Sequence, residues 1–295
     1  MEALFIHVSN VLLPVMLCIL VGYGLARFKV HFDTKTVGGV VANVGYPTLI
    51  LSHLTANHIS FGAFLDVMAA AALMIACFAA IAFGFLKIIH RPARAFLSPM
   101  ILNNVGNIGL PISFLAFGNE GMAIALAVVA VVTASIFTIG MWIPIGEISL
   151  FDLIRQPAVY SVVLALFLMG TGTSLPEPVA ACFKILGGLS IPLMLLTLGY
   201  TLATLRPDGI ITGSYLAIFH VAMACGVAYM IVWLFGFEGT TRGVFILMCL
   251  MPASVATYLW VERYQNEYAP DVASYIMIST LLTIVVVPLA LTFWI

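Results

Sequence analysis

Charged residues are scarce. Asp, Glu, Lys and Arg make up 8% of the 295 residues, while 63% are hydrophobic. A soluble domain carries about a quarter charged residues to cover its surface. This chain lacks them, so lipid must be the solvent for most of it. A net charge of -1 leaves no basic surface for nucleic acid. Long polar stretches are missing, which leaves no room for a soluble domain with separate chemistry. The five cysteines, Cys18, Cys77, Cys182, Cys225 and Cys249, sit in apolar runs without a CxxC pair and read as small buried hydrophobes. HExxH, GxSxG and paired intramembrane carboxylates do not occur, which argues against an intramembrane enzyme and against a bound metal or cofactor. The 12 acidic residues fall near segment ends or in loops, so a buried carboxylate proton relay is not evident.

What is plentiful is apolar sequence, with 24 glycines and 14 prolines largely inside it. A helix needs about 20 apolar residues to cross the hydrocarbon core. Charged or turn-rich breaks give ten such segments, at roughly 4–26, 36–55, 63–87, 94–117, 121–143, 156–171, 180–204, 212–235, 242–262 and 271–294. No cleavage-site pattern follows the first, so it reads as a span and not a signal peptide. Nine of the 11 basic residues fall in one alternating set of loops: Arg27, Lys29, Lys35, Lys87, Arg91, Arg94, Arg155, Arg206 and Arg263. Only Lys184 and Arg242 fall in the other set. The positive-inside rule then puts both termini outside a plasma (bacterial inner) membrane.

The halves echo each other at offsets of 145 to 148 residues. Leu20–Gly24 (LVGYG) matches Leu168–Gly172 (LMGTG). The stretch NVGYPTLILSHL from Asn43 resembles GLSIPLMLLTLG from Gly188. ARAFLSPMILNNVG from Ala93 aligns with TRGVFILMCLMPAS from Thr241, and GNEG at Gly118 faces QNEYA at Gln265. Five spans per half is an odd number, so residues 1–147 and 148–295 would cross with opposite topology. Such inverted repeats bind cargo near the midplane, at broken helices in corresponding positions.

The fourth and ninth segments are the broken pair. NNVGNIGLP, Asn103 to Pro111, concentrates three amides, two glycines and a proline in an apolar run. Gly106, Gly109 and Pro111 are expected to interrupt the helix. Asn103, Asn104 and Asn107 offer donors and acceptors, with Asn103 and Asn107 on one face if the helix holds. The half-helix start after the break offers free N–H groups and a positive dipole end, which suits a carboxylate. In the ninth segment Pro252 breaks the run, and Ser254, Thr257 and Tyr258 supply hydroxyls. Interhelical amide glue around a kink is the plainer alternative.

These residues resemble the auxin efflux carrier family of prokaryotic carriers and plant PIN-FORMED proteins, over nearly the whole chain. PVMLCILVGYGLAR is similar to the family's first span, and NNVGNIGLPI to its Asn-x-Gly-x-x-Gly-x-Pro crossover. IRQPAVYS resembles the segment opening the second half, with Gln156 in an asparagine's place. IPLMLLTLG and MPASVATYLWVERY resemble the seventh and ninth spans. The resemblance implies an all-α membrane protein of ten spans in two inverted repeats, with crossing broken helices four and nine. It implies a secondary carrier of small organic anions working by an elevator-like movement. Spans 1, 2, 6 and 7 would be the scaffold, spans 3–5 and 8–10 the mobile core, and dimers would form through the scaffold. Asn104, seven residues before Pro111, matches the asparagine that contacts substrate in plant members, which makes Asn104 the strongest candidate for cargo contact and leaves Asn103 for glue. Thr257 stands where plant members have a proline at the crossing.

Asn43, Tyr46 and Pro47 would face Ser190 and Pro192 on the scaffold side of the pathway. His220 is the histidine inside a span and reads as a packing residue. His53 and His58, in an outer loop, have no third ligand for a metal. Glu262 and Arg263 read as an interfacial charge pair, and Trp142, Trp233, Trp260 and Trp294 as interface anchors. Two other readings stay open: a sodium-coupled symporter similar to the bile acid symporters, and a channel.

Overall fold

The computed structural model describes residues 2–54, 59–146 and 155–295, with side chains from residue 8 onward. His58 and the expected boundary between the halves lie outside the described residues. Among those residues all extended regular structure is helical. Helix α1 is Glu2–Arg27. Asp33 then caps α2 (Thr34–Val40), accepting from the N–H groups of Lys35 and Thr36. A π-helical turn, Val41–Gly45, leads directly into α3 (Tyr46–Leu54). Ser60 caps α4 (Phe61–Ile88) through a 3.2 Å bond from Ala63 N–H.

The fourth segment begins with α5 (Ala93–Ile101) and resumes in α6 (Leu110–Ser135), followed by a π-turn and α7 (Met141–Ile145). Gly118, at φ 64° and ψ −150°, turns the chain sharply within α6. Only glycine adopts that backbone region at ease. Pro157 opens α8 (Pro157–Thr171), which left-handed Gly172 terminates. Then come α9 (Glu177–Gly188), α10 (Ser190–Thr204), α11 (Ile210–Phe235), α12 (Gly239–Cys249), α13 (Val255–Tyr264) and α14 (Ala269–Phe293).

Seven stretches among the described residues are long and apolar enough to cross a membrane. The ten segments expected from the sequence divide the chain differently, because they count broken and shorter runs separately. One of the seven, Val105–Ile145, has 41 residues. As a helix it would reach about 60 Å, twice the hydrocarbon thickness, and Gly118 divides it. Helix α8 has only 15 residues, and the α12–α13 segment is broken.

Close packing is concentrated where glycines let backbones touch. Helix α1 lies on α10. A Cβ added to Gly22 would stand 2.1 Å from the Leu196 carbonyl oxygen, and one on Gly199 would stand 1.9 Å from that of Ile19. Small residues at helix contacts are the usual device where lipid gives no hydrophobic drive to association. Helix α3 packs on α8 and α9, with Gly187 against the Leu49 backbone. Gly45 meets Ser190, so the interrupted second and seventh segments touch at their interruptions, at positions the internal repeat aligns. The other helices form a second group: α4 on α5, α6 and α11, α12 on α6 and α11, and α14 on α11. Arg91 ties this group together at one end. It pairs with Asp271 at 3.2 Å and donates to Thr212 and Tyr215 at 3.0 and 3.2 Å.

Two expectations change here. His53 lies in the last turn of α3, its Nδ1 3.1 Å from the Leu49 carbonyl, and not in a loop. Glu262 accepts the Tyr258 hydroxyl at 3.2 Å, while Arg263 lies over the Tyr264 ring. These neighbours therefore do not pair with each other.

Gly199→Ala should lower the midpoint of thermal unfolding in detergent by an amount equivalent to about 1–3 kcal/mol of overpacking. Gly226→Ala, with nothing within 4 Å of the added carbon, should leave it unchanged or raise it. Equal effects would mean that the α1–α10 contact is loose.

Candidate functional site

Helix α5 ends at Ile101, and Leu102 turns to an extended conformation at φ −114°, ψ 103°. Helix α12 ends at Cys249, and the chain stays non-helical until Ser254 caps α13. The two short interruptions run antiparallel and pair around Asn103 and Ala253. Asn104 N–H donates to the Pro252 carbonyl at 2.7 Å, and Ser254 N–H donates to that of Leu102 at 3.0 Å. Each break thus supplies a partner for one of the backbone groups that the other frees, as burial away from water favours.

Proline chemistry explains where the ninth segment opens. Pro252 has no N–H to give the Met248 carbonyl four residues earlier. The Ala253 N–H, which would have served Cys249, points instead to Ser279 Oγ at 3.3 Å. Asn103 replaces both, its Nδ2 donating to the Met248 carbonyl at 3.1 Å and to that of Cys249 at 2.7 Å. His220 Nε2 lies 3.2 Å from the Met251 carbonyl, and its Nδ1 lies 2.7 Å from the Tyr275 hydroxyl. A carbonyl can only accept, so Nε2 carries the proton and Nδ1 accepts from Tyr275. Helices α11 and α14, with Asn103 of the opposite interruption, thereby clamp the break.

The crossing also shows what the glycines do. The interruption falls at Leu102–Asn104, ahead of Gly106 and Gly109, which do not cause it. They lie in a π-helical turn, Val105–Gly109, that heads the second half-helix, with Pro111 the second residue of α6. Their role is close approach. A Cβ on Gly106 would stand 2.1 Å from the Tyr46 hydroxyl, and one on Gly109 would stand 2.7 Å from Met248 Sδ. Because the helix has already ended, Asn103 and Asn107 do not share a helical face.

The amides separate by role. Asn103 is 1% exposed and braces α12, leaving its Oδ1 buried without a donor. Asn104 is 3% exposed, and its Nδ2 is buried without an acceptor. Asn107 is half-buried in the turn. Each hydroxyl of the ninth segment has one partner within the protein. Ser254 Oγ accepts from Ala256 N–H, Thr257 donates to the Ser254 carbonyl at 2.7 Å, and Tyr258 donates to Glu262. The crossing itself is at Ala253, four residues before Thr257, so Thr257 belongs to the first turn of α13.

From α3 Tyr46 reaches the turn that follows the crossing, at Gly106. Asn43 is exposed and donates to its own helix at Gly39, and Pro192 is also exposed. Pro47 is half-buried, and Ser190 is buried against Gly45 with its hydroxyl unpartnered. Ser279, Tyr275 and the unpartnered hydroxyl of Thr197 went unnoticed in the sequence. Each is an ordinary residue of an apolar helix, and only packing reveals it.

Residues 141–295 match the model of a family described as membrane transport protein. An uncharacterized transporter of Methanocaldococcus jannaschii is 23% identical over 299 residues, covering 95% of this chain and 96% of the relative. An uncharacterized transporter of Methanothermobacter thermautotrophicus is 27% identical over 307 residues, covering 97% and 98%.

Gly106→Ala should destabilise the protein by driving a methyl into the Tyr46 hydroxyl. Tyr46→Phe in the same chain should recover most of the loss, measured as the thermal midpoint in detergent. Failure of the second change to recover stability would separate Tyr46 from the crossing.

Proposed function

The chain belongs to the membrane transport protein family, that of the auxin efflux carriers, and on that premise we propose that it is a secondary carrier of a small organic anion. The observation that carries this reading is Asn104 Nδ2, a buried donor with no acceptor at the head of a half-helix. An unsatisfied buried donor costs about 1–3 kcal/mol. A carboxylate oxygen is the natural partner, because the site is rich in donors. The helical run beginning at Val105 and helix α13 both start at the crossing. Each start offers free N–H groups and roughly half a positive charge, enough together for one carboxylate without a lysine or arginine.

In this reading the helices make ten spans in two inverted repeats, with both termini outside a bacterial inner membrane. Helices α1–α3 and α8–α10 form a scaffold, through which two copies would associate. The remaining helices form a core that carries the crossing from one face to the other. The glycine-to-backbone contacts within α1–α10 support a stiff scaffold, and the Arg91 cluster supports a core that moves as one body. Tyr46 would be the scaffold's contact with the site. The chemistry of the crossing is non-covalent, so the protein is read as a carrier and not an enzyme.

Proteoliposomes carrying the purified protein should take up at least one labelled carboxylate saturably. No saturable uptake across a panel of mono- and dicarboxylates would overturn the reading. Asn104→Ala should weaken binding about tenfold or more while leaving the thermal midpoint near that of the parent. Unchanged affinity would move the site elsewhere.

A further inference from the structure

The two adjacent asparagines leave opposite groups unsatisfied. Asn104 has a buried donor without an acceptor, and Asn103 has a buried acceptor without a donor. The orientation of the Asn103 amide is fixed by chemistry. Two carbonyl oxygens lie within 3.1 Å of one terminal atom, and only the NH₂ can serve both. Its Oδ1 therefore stands bare beside the end of α12, two residues beyond the end of α5.

Those helix ends are rich in acceptors too. Of the late carbonyls of α5, that of Ser98 receives Leu102 N–H and that of Leu102 receives Ser254 N–H. Around α12, the carbonyl of Ile246 is satisfied by Leu250 N–H, and those of Met248, Cys249 and Met251 by Asn103 and His220. Among the described residues, nothing donates to the carbonyls of Pro99, Ile101, Leu247 or Leu250. All four residues are buried. Surplus acceptors in a buried place need a donor or a cation. The charge balance favours a cation, since two helix C-termini present about half a negative charge each. Their sum suits one positive charge. A divalent ion would call for carboxylates, and the crossing segments Leu102–Asn104 and Leu250–Ser254 contain none.

We propose that this acceptor pole binds a desolvated monovalent cation of sodium size, with Asn103 Oδ1 as a ligand and backbone carbonyls completing the shell. The cation binds together with the anion held at Asn104, one residue away, and so couples the two. The proposal rests on the anion-carrier reading for its coupling, but not for the ion site itself. Linkage makes the coupling reciprocal: each ion tightens the other by the same factor.

The test uses the full chain with sodium chloride, potassium chloride or choline chloride at equal ionic strength. Sodium alone should raise the thermal midpoint in detergent saturably. Asn103→Ala should abolish that rise, and Asn104→Ala should retain it. In proteoliposomes, sodium should lower the KM for the transported carboxylate about tenfold relative to choline. Where Asn103→Ala fails to fold, the comparison of salts on the parent protein still decides. Carboxylate uptake that is equal in all three salts, or that follows only a pH gradient or potassium, overturns the cation site and leaves the carrier reading standing. A sodium-specific rise in stability without uptake of any anion upholds the ion site and overturns the carrier reading.

Discussion

The arrangement turns on one side-chain amide. Pro252 and the diverted N–H of Ala253 leave two carbonyls at the end of α12 without helical partners, and Asn103 supplies both bonds from the opposite segment. Without that amide the ninth segment could open only by leaving carbonyls bare in an apolar interior, at several kcal/mol each. With it, the break becomes stable, and the fourth and ninth segments are locked in register by the backbone pairing around Asn103 and Ala253. Everything else at the crossing is placed relative to that pairing. His220 and Tyr275 hold its far side, and Tyr46 closes over Gly106 on its near side.

Much of this was legible from the chain, for identifiable reasons. Composition forces a membrane setting, and apolar run length recovers most helices to within a few residues because lipid imposes that length directly. Polar residues are rare enough in such a chain that NNVGNIGLP and MPASVATY stand out. What could not be read was which residue of each motif does what. Glycine and proline in a helix both suggest a break, yet here the break belongs to Leu102–Asn104, and Gly106 and Gly109 exist to be approached. Seryl and threonyl hydroxyls look like cargo ligands on paper. Ser254 and Thr257 each make one local backbone bond at the start of α13, a bond always within reach of those residue types, and Ser254 keeps its proton to donate. Ser279 and Tyr275 carried no signal because their partners are distant in sequence.

The molecule also divides its small residues by purpose. In α1 and α10, glycines remove side chains so that backbones come together, and rigidity is the gain. At the crossing, glycines make room for the particular side chains Tyr46 and Met248. The first kind of contact is extensive and non-directional. The second is local, and Tyr46 is one point at which the helix group of α1–α3 and α8–α10 meets the Val105–Gly109 turn, so a displacement between the two helix groups would be felt there.

The crossing segments contain no formal charge, and the proposed carrier movement would make that feature intelligible. A fixed lysine or arginine could hold an anion tightly, but its charge would have to be neutralised whenever the site was empty, and desolvation of an unpaired ion is costly. Helix ends present partial charges that come in compensating pairs: each interrupted segment adds one positive and one negative end. The empty crossing is therefore neutral overall, while still offering a donor pole at Asn104 and an acceptor pole at Asn103. An anion alone would give the loaded core one net negative charge. An anion with a monovalent cation would restore neutrality, so the empty and the doubly loaded core would be the two states that cross a low-dielectric layer at least cost. Two adjacent asparagines with opposite groups left bare are what such a cycle requires of the protein.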